Sequence, residues 1–224
     1  VNTDFDALNY MDSFDVSDFA STNINTIDIA SKKYASNTIT VLDSDFKISK
    51  ELVDKITATI NDYGAGVSFY IVSLNDGMSI GYNVDKFYET ASSIKAPYAL
   101  YIYKEIDKGN IDKNSKITYE PEFFKTGTGV IKNMPYGTEL TIKEIIDLSL
   151  MESDNIAHNI LHKTYGVAGY NEMLTNLGTQ YLYLTPNNPW SFTSCRSAAL
   201  VWQEIYKFSY DSPYGIEFMN ILAS

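Results

Sequence analysis

Apolar and polar positions keep a regular period only from residue 49 onward. Leu52, Val53, Ile56 and Ile60 share one face of a helix that Ser49 caps and Gly64 stops. Val67-Ser-Phe-Tyr-Ile-Val-Ser-Leu74 reads as a strand from its β-branched and aromatic content. Asn75-Asp76-Gly77 is a hairpin turn, and 78–83 returns as a second strand with Met78, Ile80 and Tyr82 on one side. Beyond the hairpin the period turns helical. Residues 92–108 form one helix ended by Gly109, with Pro97 inside it as a predicted kink. Thr141-Ile-Lys-Glu144 is a capping box that opens a helix with Ile142, Ile145, Ile146 and Leu150 inside. Further helices are predicted over 154–163, 168–177 (stopped by Gly178), 194–208 and 214–222.

Before residue 49 the apolar residues Phe5, Leu8, Tyr10, Phe14 and Phe19 are scattered without a period among Ser, Thr, Asn and Asp. Residues 1–47 therefore read as a polar acidic arm or linker that packs at most in patches. Composition and charge sharpen this. The 224 residues are 45% hydrophobic and 20% charged, which excludes a wholly disordered chain. The net charge is −11, with 28 Asp and Glu against 17 Lys and Arg, and the arginines reduce to Arg196. A nucleic-acid partner needs a basic surface, so that class is set aside. The acids Asp4, Asp6, Asp12, Asp15, Asp18 and Asp28 fall within residues 1–31, where no lysine offsets them. Much of the negative charge thus lies in the arm. The single cysteine, Cys195, excludes a disulfide framework and is expected half-buried near a helix start. No apolar run reaches the length of a membrane span. Starting at Val1, the chain reads as a mature or trimmed fragment.

Candidate chemistry gathers in two short motifs. Ser92-Ser-Ile-Lys95 is S-x-x-K, and on a helix i and i+3 share a face, so Ser92 and Lys95 can touch. A serine hydroxyl is a poor nucleophile until a base takes its proton, and a lysine is that base only when its pKa is lowered. Ser153-Asp154-Asn155 lies between two predicted helices, where a loop can aim Ser153 and Asn155 at a cleft or Ser153 or Asp154 can cap a helix. A second S-x-x-K, Ser44-Asp-Phe-Lys47, sits in the polar arm and reads as solvated loop.

Taken in order, these residues resemble the serine-active penicillin-recognising enzymes, the class A-type β-lactamases and D,D-peptidases. Gly127-Thr-Gly-Val-Ile131, Gly137-Thr-Glu-Leu-Thr141, Met151-Glu-Ser-Asp-Asn-Ile-Ala157 and Met173-Leu-Thr-Asn-Leu-Gly178 extend the likeness over about residues 48–222. The resemblance implies a β-lactamase/transpeptidase-like fold of an α/β lobe plus an all-α lobe. Residues 48–90 would begin the α/β lobe, and 91–224 would be the helical lobe. The active site would lie between the lobes at the start of the Ser92 helix. Ser92 would be the acylated nucleophile, Lys95 its base or proton relay, and Ser153 the donor to the leaving nitrogen. Asn155 would hold Lys95 and the substrate's amide side chain. The substrate would be a β-lactam or a peptide ending in D-Ala-D-Ala, opened by acyl transfer without metal or other cofactor. Peptidoglycan lies outside the cell, so the resemblance implies an exported protein, extracellular or in the cell envelope; the polar arm itself reads either as a tether or as a trimmed terminus without function.

Two departures bear on activity. The family's Lys-Thr/Ser-Gly strand lies about 100 residues after S-D-N, beyond Ser224. A literal Lys125-Thr126-Gly127 precedes S-D-N and reads as a loop. The resemblance implies a five-stranded sheet of which this chain holds the hairpin, and two strands alone are marginal in water. A continuation past Ser224, or another complementing C-terminal segment, is expected to supply the rest. The second departure is the stretch Tyr181-Leu-Tyr-Leu-Thr-Pro-Asn-Asn-Pro-Trp-Ser191, which has no acid where class A enzymes carry a glutamate that activates water. Asn187 or Asn188 can position a water there without deprotonating it, and Glu152 reads as a surface charge at a helix end. The readings are then a β-lactamase-like hydrolase, a slower D,D-peptidase or penicillin-binding protein, or a non-catalytic wall-binding module of the same fold. His158 and His162, at i and i+4, have zinc-friendly spacing, but Asn159 stands where a zinc protease needs Glu, and they read as packing or exposed histidines. Tyr98, Tyr101 and Tyr103 read as half-buried core.

Overall fold

A computed structural model describes residues 27–42, 48–63 and 66–224. The apolar patches of residues 1–26, the second S-x-x-K at Ser44 and Lys47, and the stop at Gly64 lie outside the described residues. In order, the elements are β1 (Thr40–Leu42), α1 (Lys50–Tyr63), β2 (Phe69–Val72), β3 (Ser79–Tyr82), β4 (Tyr88–Glu89), a 3-10 turn (Ala91–Ile94) and α2 (Lys95–Asp107). They continue as β5 (Lys116–Thr118), β6 (Glu139–Thr141), α3 (Ile142–Met151), α4 (Asn155–Tyr165), α5 (Ala168–Leu177), β7 (Phe192–Thr193), α6 (Cys195–Asp211) and α7 (Pro213–Leu222). No helix among the described residues is long and apolar enough to cross a membrane.

The predicted hairpin forms. β2 and β3 pair antiparallel with Phe69 opposite Tyr82 and Val72 opposite Ser79. The sheet order is β1-β3-β2, so a third strand joins the hairpin from the stretch expected to be an arm. Val41 lies opposite Ile80 and Leu42 opposite Ser79. The β-branched run Thr38-Ile-Thr-Val-Leu42 carries the signal for β1. Ahead of β1, residues 27–37 run as a strap. Arg196, only 6% exposed, donates through Nη1 to Ile29 O at 2.6 Å. It also forks onto Asp85, Nε to Oδ1 at 2.6 Å and Nη2 to Oδ2 at 3.0 Å, and lies over the Tyr34 ring. Gln203 Nε2 donates to Ile27 O, Lys32 to Gly77 O and Tyr34 to Ser79 Oγ.

Helix ends follow the residues that predict them. Ser49 Oγ accepts from Leu52 N, yet of the face read as inward only Ile60 is buried, and α1 rides half-exposed on the sheet. Thr141 and Glu144 exchange both capping-box hydrogen bonds. Ser194 caps α6 and Ser212 caps α7. The predicted single helix from Ser92 divides, because the 3-10 turn comes first and α2 begins at Lys95. Pro97 therefore stands in the first turn of α2, where a missing N–H leaves little unmade, and not at an interior kink. α2 is the pillar of the core. Tyr98, Ala99, Leu100, Ile102, Tyr103 and Ile106 are all buried, and they face Ile145, Ile146, Ile160, Leu161, Tyr170, Ile205 and Phe218. A helix buried over most of its surface is held by packing, at about 1.5–3 kcal/mol for each large apolar side chain covered. Tyr98 and Tyr103 are thus more deeply buried than expected, while Tyr101 is half-buried.

Two short pairings escape the sequence pattern. β5 pairs with β6 across Lys116 opposite Thr141, and β4 pairs with β7 across Tyr88 opposite Thr193. The β4–β7 pair ties the chain leading to Ser92 to the end of the 181–191 loop.

Candidate active site

Ser92 lies exposed on the 3-10 turn, and Lys95, one turn on, is 2% exposed beneath it. Lys95 Nζ stands 3.2 Å from Ser92 Oγ. The S-D-N triplet turns the chain between α3 and α4, with Ser153 held at φ 49° in the left-handed region. From there Ser153 presents both oxygens to the amine: Nζ is 2.5 Å from Ser153 O and 3.0 Å from Ser153 Oγ. Asn155 Oδ1 accepts from the same Nζ at 2.9 Å, and Ser153 Oγ donates to Ser92 Oγ at 2.8 Å. The structure brings Ser92, Lys95, Ser153 and Asn155 into one cluster.

Four oxygens thus surround an amine that has three protons when charged. The Ser92 contact is the longest, and it is the direction along which a neutral amine would offer its lone pair. Burial lowers the Lys95 pKa to about 8, partly opposed by the Asp154 charge. The Trp190 ring closes one side, its centroid 5.7 Å from Nζ.

Asp154 touches none of the reacting hydroxyls. Fully buried, it accepts from Ile156 N and Ala157 N through Oδ1, and from Val130 N and Ile131 N through Oδ2. One carboxylate therefore caps α4 and grips the 127–131 loop. Gly127 and Gly129 have φ near +119° and +117°, and a Cβ would strike Asn155 Nδ2 at the first and the Asp154 carboxyl at the second. Only glycine allows the loop this close. Asn155 Nδ2 donates to Thr126 O at 2.9 Å, and Thr128 Oγ1 donates to Ser153 O at 2.7 Å.

A family model described as the Beta-lactamase enzyme family matches residues 51–223. The chain belongs to that family. Beta-lactamase VEB-1 of Pseudomonas aeruginosa is 34% identical over 114 residues, 50% of this chain and 38% of that protein. Beta-lactamase BRO-1 of Moraxella catarrhalis is 27% identical over 131 residues, 58% of this chain and 41% of that protein. The chain thus spans about two fifths of the length of these relatives. Among solved structures, the β-lactamase from Sphaerobacter thermophilus superposes with TM-score 0.68 at 22% identity, covering 78% of this chain and 69% of that one. An acyl-enzyme complex of PBP-A with penicillin G superposes with TM-score 0.68 at 21% identity, covering 75% and 66%. The fold is that of class A β-lactamases and penicillin-binding proteins.

In this β-lactamase-family fold the remaining candidates find definite places. Lys125-Thr126-Gly127 is in a loop, as its position implied, but it walls the site through Thr126 O and Gly127. The Gly-Thr-Gly spacing was the signal for that close approach. Glu152 is exposed at the end of α3. Asn188 Oδ1 accepts from Trp190 N, shaping the 181–191 loop from within, and Asn187 is exposed. His158 and His162 are buried, and each bonds through Nε2 to a carbonyl of that loop, Pro189 O and Thr185 O, both at 2.9 Å. Among the described residues no group of three His, Cys, Asp or Glu side chains is arranged to hold a metal. Cys195 is half-buried at the start of α6. Sequence reasoning missed Trp190, which reaches Lys95 from a loop read only for its lack of an acid.

Proposed function

We propose that this protein opens β-lactams by acylating Ser92. The observation that carries the reading is the triangle of Ser92 Oγ, Ser153 Oγ and Lys95 Nζ, with sides of 2.8, 3.0 and 3.2 Å. Ser92 Oγ attacks the lactam carbonyl carbon and its proton passes to Lys95. The lactam C–N bond breaks as Ser153 gives its proton to the leaving nitrogen, and Lys95 returns a proton to Ser153. Asn155 Nδ2 spends one proton on Thr126 O and keeps the other for a substrate carbonyl. Water then hydrolyses the ester and frees Ser92.

A second reading, a penicillin-binding D,D-peptidase acting on peptidoglycan peptides, is favoured by the acid-free 181–191 loop. With no carboxylate there to activate water, the ester persists. Both readings carry the expectation of an exported protein. They also carry the expectation of a complementing C-terminal segment with further strands. Among the described residues β2 has a neighbour on one side only, and Ile71 on it is 64% exposed.

Intact mass of the full-length protein after incubation with penicillin G tests the proposal. A transient adduct with accumulating penicilloate supports the hydrolase, and a lasting adduct supports the binding protein. No adduct overturns both and leaves a non-catalytic module, and an adduct that still forms in Ser92→Ala overturns Ser92 as the nucleophile.

A further inference from the structure

The two buried histidines of α4 play no part in the proton path above, yet both reach the loop that covers it. A carbonyl only accepts, so the bonds to Pro189 O and Thr185 O require Nε2 of each ring to carry the proton. The neutral ring then has its lone pair on Nδ1. Both Nδ1 atoms are buried without a partner among the described residues, an arrangement that suits a lone pair far better than a second N–H. Desolvation accordingly drives the His158 pKa down to about 4 and lowers that of His162 as well.

The held loop bears on the reacting groups in two ways. Trp190, next to Pro189, stacks obliquely on His158 with ring centroids 5.4 Å apart, and its ring also lies against Lys95 Nζ. Ser191, next again, accepts at its carbonyl from Thr90 N at 3.0 Å and Thr90 Oγ1 at 2.9 Å. Thr90 O in turn accepts from Ser93 N and Ser93 Oγ, fixing the turn that displays Ser92. His158 also meets Tyr98 of α2 in a T-shaped contact with centroids 5.6 Å apart, so the ring touches both α2 and the loop.

We propose that His158 and His162, as neutral Nε2–H rings, are positioning residues that staple the 181–191 loop and thereby set Trp190 over Lys95 and Ser191 against the Ser92 turn. This deepens the Ser92 reading and rests on it. Loss of a staple displaces the wall of the amine without removing a group that touches substrate. It therefore slows the acylation step and leaves formation of the first penicillin complex largely unchanged.

The test is made on the full chain. Glutamine places an amide N–H at nearly the reach of Nε2, whereas alanine places none. His158→Ala is expected to lower the limiting acylation rate with penicillin G by about tenfold or more, with the half-saturating concentration little changed. His158→Gln is expected to restore most of that rate. In a Trp202→Phe background Trp190 is the remaining indole within residues 1–224, and relative to that background emission should shift red in His158→Ala but not in His158→Gln. Nitrogen-15 spectra of the wild-type imidazoles at neutral pH should show the Nε2–H tautomer for both rings. An Nδ1–H tautomer, an unmoved Trp190 emission in His158→Ala, or equal acylation rates in the alanine variant and wild type each overturn the proposal. A wild-type protein that forms no adduct overturns the Ser92 reading and the acylation role with it. The tautomer and emission results then decide separately whether the histidines staple the loop.

Discussion

The hydroxyl of Ser153 donates to the hydroxyl of Ser92 across 2.8 Å, joining residues 61 positions apart in the chain. Ser153 also accepts from Lys95, so it bridges the nucleophile and the amine. Ser153→Ala keeps the Lys95–Ser92 contact but removes the donor to the leaving nitrogen. Acylation by penicillin G should fall by about 10²-fold, measured by quenched-flow mass spectrometry, with the far-ultraviolet spectrum unchanged.

Acylation should follow the state of Lys95. Only the neutral amine takes the Ser92 proton, and burial lowers its pKa to about 8. The rate should therefore be low in acid, rise through pH 8 and level off above it. Lys95→Arg, charged at all accessible pH, should acylate roughly 10²–10⁴-fold more slowly with no such rise. A wild-type profile flat from pH 6 to 10 would exclude Lys95 as the base.

Asp154 separates structure from charge. Its ion raises the Lys95 pKa against the pull of burial. Asp154→Asn removes that charge, so the acid limb of the profile should move below pH 8. The amide also turns an N–H toward two backbone donors where a carboxylate oxygen stood. The urea midpoint should drop by an amount corresponding to about 3 kcal/mol.

Much of this was legible because the decisive groups lie in contiguous motifs. Ser92 and Lys95 share a helical repeat, and Ser153 and Asn155 flank a single cap residue, so spacing alone brings each pair together. Capping residues such as Thr141, Glu144 and Ser194 announced their helices for the same local reason. What stayed hidden depends on backbone atoms that no side chain advertises. Pro189 O and Thr185 O receive the histidines, and Thr126 O receives Asn155, yet any residue type supplies a carbonyl. β1 was masked by its acidic surroundings, although Thr38 to Leu42 is a β-branched run. β4 and β7, two residues each, are too short for a period to register.

Gly129→Ala tests the grip of the 127–131 loop. The new methyl would overlap the Asp154 carboxyl at a backbone φ that L side chains rarely adopt. Destabilisation on the order of 3 kcal/mol should appear in urea unfolding, with acylation reduced in the fraction that remains folded.

Arg196→Lys tests the strap. A lysine cannot fork onto Asp85 while also reaching Ile29 O, so the strap should loosen at a cost of about 2 kcal/mol. Trypsin cleavage after Lys33 should accelerate while the Ser92 adduct still forms.

The strap also has a consequence for the order of assembly. Arg196 follows Ile29 by 167 positions, and Gln203 follows Ile27 by 176. A ribosome delivers the strap long before either side chain that holds it. Contacts of such long range form late, because the loop they close must be ordered first. Ile29, fully buried in the finished molecule, spends synthesis exposed, and its burial marks the moment when α6 has docked.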